Sequence, residues 1–134
     1  MGEAIIITNK KLKEEFGFHI KQKGAMLAKG RLLGIQFSEL MKNELYFDLA
    51  KHSNVQAMKI KSAFQKKGFQ FLSETFTNQI FPILSNSQIE KLAENFDFYI
   101  WKKVNEERAA IRIITSWATP DKIVDDFIIN INQL

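Results

Sequence analysis

Apolar and polar positions recur along this chain with periods that mark out its elements. Ala4 to Thr8 is an unbroken apolar, largely β-branched run closed by Asn9, which predicts a buried strand. Asn9 is placed to cap a helix through Lys10 to Phe16, which Gly17 stops or bends. Phe16, Ile20, Lys23 and Leu27 keep helical spacing, but Gly24, Gly30 and Gly34 interrupt it. Each such glycine costs a helix about 1 kcal/mol relative to alanine. Their clustering therefore points either to close helix packing or to backbone approaching a ligand. From Asn43 to Lys67, the residues Tyr46, Leu49, Ala50, Ala57, Ile60 and Phe64 form a stripe that predicts the longest helix, with Gly68 as its left-handed stop.

Downstream the period shortens. Phe69 to Leu72 and Gln79 to Leu84 read as strands, and Pro82 marks the second as an edge or a bulge. A capping box opens the next helix, either Ser85 with Gln88 or Ser87 with Glu90, and Ile89, Leu92, Ala93 and Phe96 form its apolar face. Asp97 to Lys103 and Ala109 to Ser116 alternate around the polar Asn105-Glu106-Glu107, as a β-hairpin does. Thr119 suits the N-cap of a last helix, with Pro120 in its first position and Asp121 at the positive end of its dipole. Ile123, Val124, Phe127 and Ile128 give that helix its core face. The order predicts an α+β fold: a small, mainly antiparallel sheet covered by helices, preceded by a strand and helices.

One residue stands against its surroundings. In the strand after the hairpin turn, Ala109, Ile111 and Ile113 share one face, and Ala110, Arg112 and Ile114 the other. A cation among aliphatic neighbours must find an anionic partner or bear a heavy desolvation cost. Either a carboxylate elsewhere in the chain supplies that partner, or a ligand does. Lys23, Lys29 and Arg31, set among the glycines, make a second and weaker anion-site composition.

Composition narrows the chemistry. With 134 residues, 46% hydrophobic and 25% charged, the chain is of single-domain length and ordinary globular balance. Its net charge is +4, but the lysines are scattered among glutamates, which reads as a solvated surface and not as a nucleic-acid face. The absence of cysteine excludes disulfides, thiolate metal sites and a cysteine nucleophile. His19 and His52 lack zinc-site spacing, so no metal is expected, and His52, inside the long helix, reads as a surface or boundary residue and not a catalyst. No apolar stretch has the length of a signal or membrane-spanning segment, which favours a cytoplasmic protein. Ser116 has no histidine near it in sequence, and no strand-to-helix phosphate loop occurs. The residues alone describe an α+β domain with one buried arginine and one glycine-basic segment.

Three stretches together carry a resemblance. Ile20-Lys-Gln-Lys-Gly-Ala-Met-Leu-Ala-Lys-Gly-Arg-Leu-Leu-Gly-Ile-Gln-Phe37, Thr77-Asn-Gln-Ile-Phe-Pro-Ile-Leu84 and Ile111-Arg-Ile-Ile-Thr-Ser-Trp-Ala-Thr119 resemble, in that order, the C-terminal part of the low-specificity threonine aldolases. These belong to the pyridoxal-phosphate-dependent β-eliminating lyase and aromatic aminotransferase superfamily. The opening Gly2-Glu-Ala-Ile-Ile-Ile7 is similar to the family's strand just after the cofactor lysine. The resemblance implies residues 1–42 as the end of a cofactor-binding large domain and 43–134 as a small C-terminal domain. It implies cleavage of threonine-like β-hydroxy-α-amino acids to glycine and an aldehyde, with Arg112 similar to the arginine that clamps the substrate carboxylate. Lys29 and Arg31 are similar to residues of a loop that approaches the cofactor phosphate, in part across a subunit interface. The Gly-Thr-Lys motif that holds the cofactor in the family is absent from this sequence. A chain beginning just downstream of that lysine is therefore expected to carry no catalytic residue of its own and no covalently bound cofactor, and to be inactive alone. Self-association, or association with the large domain it lacks, is the partner expectation; nucleic acid and membrane are not. The other reading is a free-standing interaction or anion-binding module without catalysis.

Overall fold

Asn9 takes the role its side chain suits. Its Oδ1 accepts a hydrogen bond from the Lys11 N–H at 3.0 Å, satisfying a free donor at the start of α1 (Lys10–Lys13). The computed structural model describes residues 4–134, which divide into one unit ending at Tyr46 and another spanning Phe47–Leu134. In the first unit, Glu15 adopts a left-handed φ of 54° and separates α1 from α2 (Phe16–Gln22). The interruption thus falls before Gly17, which sits inside α2. Gly24, at φ +68°, ends this helix. Its N–H donates to Lys21 O at 3.0 Å and the Ala25 N–H to Ile20 O at 2.9 Å, the doubly bonded left-handed stop. Helix α3 (Arg31–Leu40) runs through Gly34, where an added Cβ would meet nothing within 4 Å, so the close packing offered as one reason for the glycines is not found there.

The strand expected over Ala4 to Thr8 does not form. Residues 4–9 join no ladder, and Ile5 and Ile6 are 68% and 88% exposed. A strand is completed by a neighbour's N–H and C=O groups, and none is supplied among the described residues of this unit. Gly2 and Glu3 of the opening motif lie outside the described residues. None of the described residues of this unit is buried.

The second unit is built on α4 (Leu45–Lys66), which follows a 3-10 turn at Lys42–Glu44. Ala57, Ile60 and Phe64 face inward as their spacing predicts, joined by Ser53 and Gln56; Tyr46 is exposed instead. Gly68 stops α4 at φ +79°, as predicted. The Gly68 N–H donates to Gln65 O at 2.9 Å and the Phe69 N–H to Phe64 O at 3.0 Å. The Phe64 and Phe69 rings meet edge to face at 5.3 Å, the apolar contact that accompanies this stop.

The sheet comprises β1 (Gln79–Ile80), β2 (Ile83–Ser85), β3 (Tyr99–Lys103) and β4 (Arg108–Ile114). Strand β4 is central, antiparallel to β3 on one side and to β1 and β2 on the other. The pairs Ile80↔Ile113 and Ile83↔Ala110 share one register, so β1 and β2 are a single line broken at Pro82, which has no N–H to give. Ile111 N–H still donates to Pro82 O at 3.1 Å. The strand expected at Phe69 to Leu72 is reduced to a bridge between Phe71 and Pro82.

Of the two capping boxes, Ser85 with Gln88 is the one used, opening α5 (Asn86–Ala93). Helix α6 (Asp121–Asn132) begins later than expected, with Pro120 as its cap. Thr119 does not cap it: its Oγ1 accepts the Ser116 N–H at 2.8 Å and closes the preceding turn. Residues of α4, α5 and α6 pack with Ile80, Leu84, Ala109 and Ile111 into one core, so the helices cover one face of the sheet. Ala93 and Ile123, expected in that core, are exposed. The inward line of α6 runs Val124, Phe127, Ile131, a spacing from which Ile123 is displaced. The fold is the α+β class expected, a small antiparallel sheet with helices. Among the described residues no helix is long and apolar enough to cross a membrane.

Candidate carboxylate-binding site

Alternation along β4 turns Ala109 and Ile111 toward the helices and Ala110, Arg112 and Ile114 away from them. Arg112 lies directly opposite Tyr99 on β3. On its other side the register shared by β1 and β2 brings Phe81 opposite it. Along β3 the pairs run Tyr99↔Arg112, Ile100↔Ile111 and then Lys102↔Ala110, so Trp101 is the extra residue of a β-bulge. The Arg112 guanidinium carbon lies 5.4 Å from the Tyr99 ring centroid and 5.1 Å from that of Trp101. Trp101 in turn packs on Phe81, centroid to centroid 5.4 Å. Ala110, small and fully covered, lies between their strands.

Arg112 is half-buried. Among the described residues no carboxylate lies within ion-pair distance of it, and its Nε is buried without a hydrogen-bond partner. Of the two partners expected for this cation, a carboxylate of the chain is not found among the described residues. Ring faces take its place, and they stabilise a cation by about 0.5–2 kcal/mol without neutralising it. Arg112, Tyr99, Phe98, Thr119 and Ile123 are among the residues that line a cavity of about 560 Å³.

The turn from β4 into α6 is tied to α4 by polar groups. Thr115 Oγ1 donates to Ser53 O at 2.6 Å, and the Thr115 N–H to Asn78 O at 3.0 Å. His52 Nε2 donates to Thr119 O at 2.9 Å, a positioning contact that fits its reading as a boundary residue. Asp121 accepts from Gln56 at 2.8 Å and Lys59 at 2.6 Å. The Lys59 hydrogen bond, then that of Gln56, holds the Asp121 carboxyl below its ordinary value, and Asp121 raises Lys59 in return. Ser53, Gln56 and Lys59 were not singled out from sequence. For Ser53 and Gln56 the signal was polar residues recurring along the inward stripe of α4; Lys59 is exposed, and its spacing gave no such signal.

Lys29 lies in the turn between α2 and α3, and Arg31 is the first residue of α3; both are exposed. Neither has an ion-pair partner among the described residues. They belong to the first unit and Arg112 to the second. Among the described residues no cluster of His, Asp or Glu is arranged to hold a metal ion.

No family model matches the chain. It is 26% identical, over its whole length, to 38% of a low specificity L-threonine aldolase of Pseudomonas sp. (strain NCIMB 10558). It is 29% identical, over 89% of its length, to 34% of the low specificity L-threonine aldolase of Pseudomonas aeruginosa. The chain thus spans somewhat more than a third of the curated relatives it matches. Among solved structures, a threonine aldolase of Leishmania major superposes with a TM-score of 0.80 at 40% identity, over 85% of this chain and 33% of that one. In sequence and in fold, then, the chain corresponds to the C-terminal part of a threonine aldolase.

Proposed function

We propose that this chain forms the substrate-carboxylate side of a threonine-aldolase-type lyase that works with pyridoxal phosphate on β-hydroxy-α-amino acids. Arg112 supports this reading most directly: a guanidinium whose buried Nε has no hydrogen-bond partner, and which has no acid within ion-pair distance among the described residues, is a cation left for a ligand. A planar guanidinium can meet a carboxylate with two parallel N–H···O bonds, fixing orientation as well as charge. Arg112 sits on a central strand whose following turn is bonded to α4, so the carboxylate would be held by a rigid element. When bound, the cofactor supplies the electron sink for cleavage of the Cα–Cβ bond. Lys29 and Arg31, two exposed cations, suit its phosphate.

In this reading residues 1–42 end the large domain, 43–134 form the small one, and the assembled protein is a cytoplasmic oligomer. The sequence holds no Gly-Thr-Lys motif, so the cofactor lysine comes from elsewhere and the chain alone does not turn over substrate. Pyridoxal phosphate followed by borohydride is expected to label surface lysines slowly and without preference. A stoichiometric adduct at one lysine would overturn this part. For the carboxylate site, the side-chain N–H resonance of Arg112 is expected to shift on titration with L-threonine and not with L-threoninol. Equal responses to both would remove Arg112 as a carboxylate clamp.

A further inference from the structure

We infer that Tyr99 and Trp101 are positioning residues for Arg112, an aromatic brace that aims its guanidinium at the incoming carboxylate; this rests on the carboxylate reading above. An arginine side chain has many rotamers, and holding it in one usually falls to an acid. An acid would neutralise the charge and compete with the ligand for the same donors. Here the rotamer is held by ring faces at 5.4 and 5.1 Å, while no carboxylate is within ion-pair distance among the described residues. A cation–π contact restrains the plane of the guanidinium and leaves its in-plane N–H donors uncommitted.

The backbone is built for this contact. In a regular ladder Trp101 would lie opposite Ala110, two residues along β4 from Arg112. The bulge sets both Trp101 and Lys102 against Ala110 and re-aims the indole. Phe81, opposite Arg112 on the other side, supports the indole at 5.4 Å, and the small Ala110 leaves room for the two rings to meet. Tyr99 and Trp101 remain 69% and 52% exposed, so neither ring is a core residue, and both keep a face on Arg112.

The test uses the folded chain and L-threonine, with binding read by isothermal titration calorimetry in every variant and by the Arg112 side-chain resonance in those that keep Arg112. Tyr99→Leu and Trp101→Leu are each expected to weaken binding about three- to fivefold, the equivalent of one partly exposed cation–π contact. Tyr99→Phe, which keeps the ring face, is expected to bind as the parent does. Arg112→Ala should abolish carboxylate-dependent binding. If it does, while the leucine variants bind unchanged, the brace is overturned and the clamp stands. If Arg112→Ala binds as the parent does, the clamp fails and the brace with it. Should Trp101→Leu unfold, the Tyr99 pair still decides, because an exposed ring can be exchanged with little cost to the core.

Discussion

The two units of this chain spend similar sequence material on opposite outcomes. In Phe47–Leu134, three helices and one sheet face enclose Phe64, Ile80, Leu84, Ile111 and Ile131, all essentially inaccessible to water. In the unit ending at Tyr46, helices with comparable apolar residues leave Phe18 at 74% and Leu32 at 70% exposed, and none of its described residues is buried. Amphipathic pattern creates helices in both. Only a second layer turns that pattern into stability, because the apolar face gains its roughly 25 cal/mol per Å² only when covered.

Hydrogen exchange gives the widest separation. Amides of the second half of α4, from Ala57 to Phe64, are expected to open only with global unfolding. Those of α2 and α3 should exchange through local opening, orders of magnitude faster. Equal protection in both would break the comparison. Phenylalanine truncation sharpens it. Phe64→Ala, in the centre of the core, is expected to cost about 3–5 kcal/mol in denaturant unfolding, and Phe18→Ala to stay within about 0.5 kcal/mol. The glycines divide by the same logic at smaller scale. At Gly68 the φ of +79° is required to end α4, so Gly68→Ala should destabilise by about 1 kcal/mol or more. At Gly34, inside α3 with open space around it, alanine should raise helicity by up to about 1 kcal/mol.

The local parts of the fold were legible in the sequence. Gly68, a capping box at Ser85 or Ser87, the hairpin around Asn105 and the stripe through Ala57, Ile60 and Phe64 depend on neighbours within a turn or two, and all are found, with Ser85 the cap used. The failures are long-range or competitive. Ala4 to Thr8 has the composition of a buried strand, but composition reports fit to a pleated surface and cannot supply the partner strand. Thr119 could serve either the helix after it or the turn before it, and the Ser116 N–H won. At the candidate site, Arg112 was legible as a cation needing a partner, and the nature of the partner was not. That depends on pairing between Tyr99, Arg112 and Phe81, and on a bulge at Trp101 that no local rule announces.

The smallest effect concerns the polar tie between α4 and α6, the feature of the second unit that rests least on burial. Asp121 has its pKa lowered from the ordinary 3.8 by Lys59 and Gln56. A carboxyl whose folded pKa is depressed adds stability that is fully present above its unfolded pKa and lost as pH falls through its folded one. Lys59, raised above 10.5 by the same contact, loses its share as pH rises through that higher value. The melting temperature of Asp121→Asn should therefore lie slightly below that of the parent near neutral pH. The gap should close as pH falls below 3.8, and also at strongly alkaline pH. The pair is solvent-exposed, so the gap is small and added salt should narrow it further. A gap unchanged through the acid range would mean that Asp121 acts as a neutral hydrogen-bond acceptor for Gln56. The turn after Arg112 would then be held by shape and hydrogen bonding alone, and its anchoring would not depend on pH.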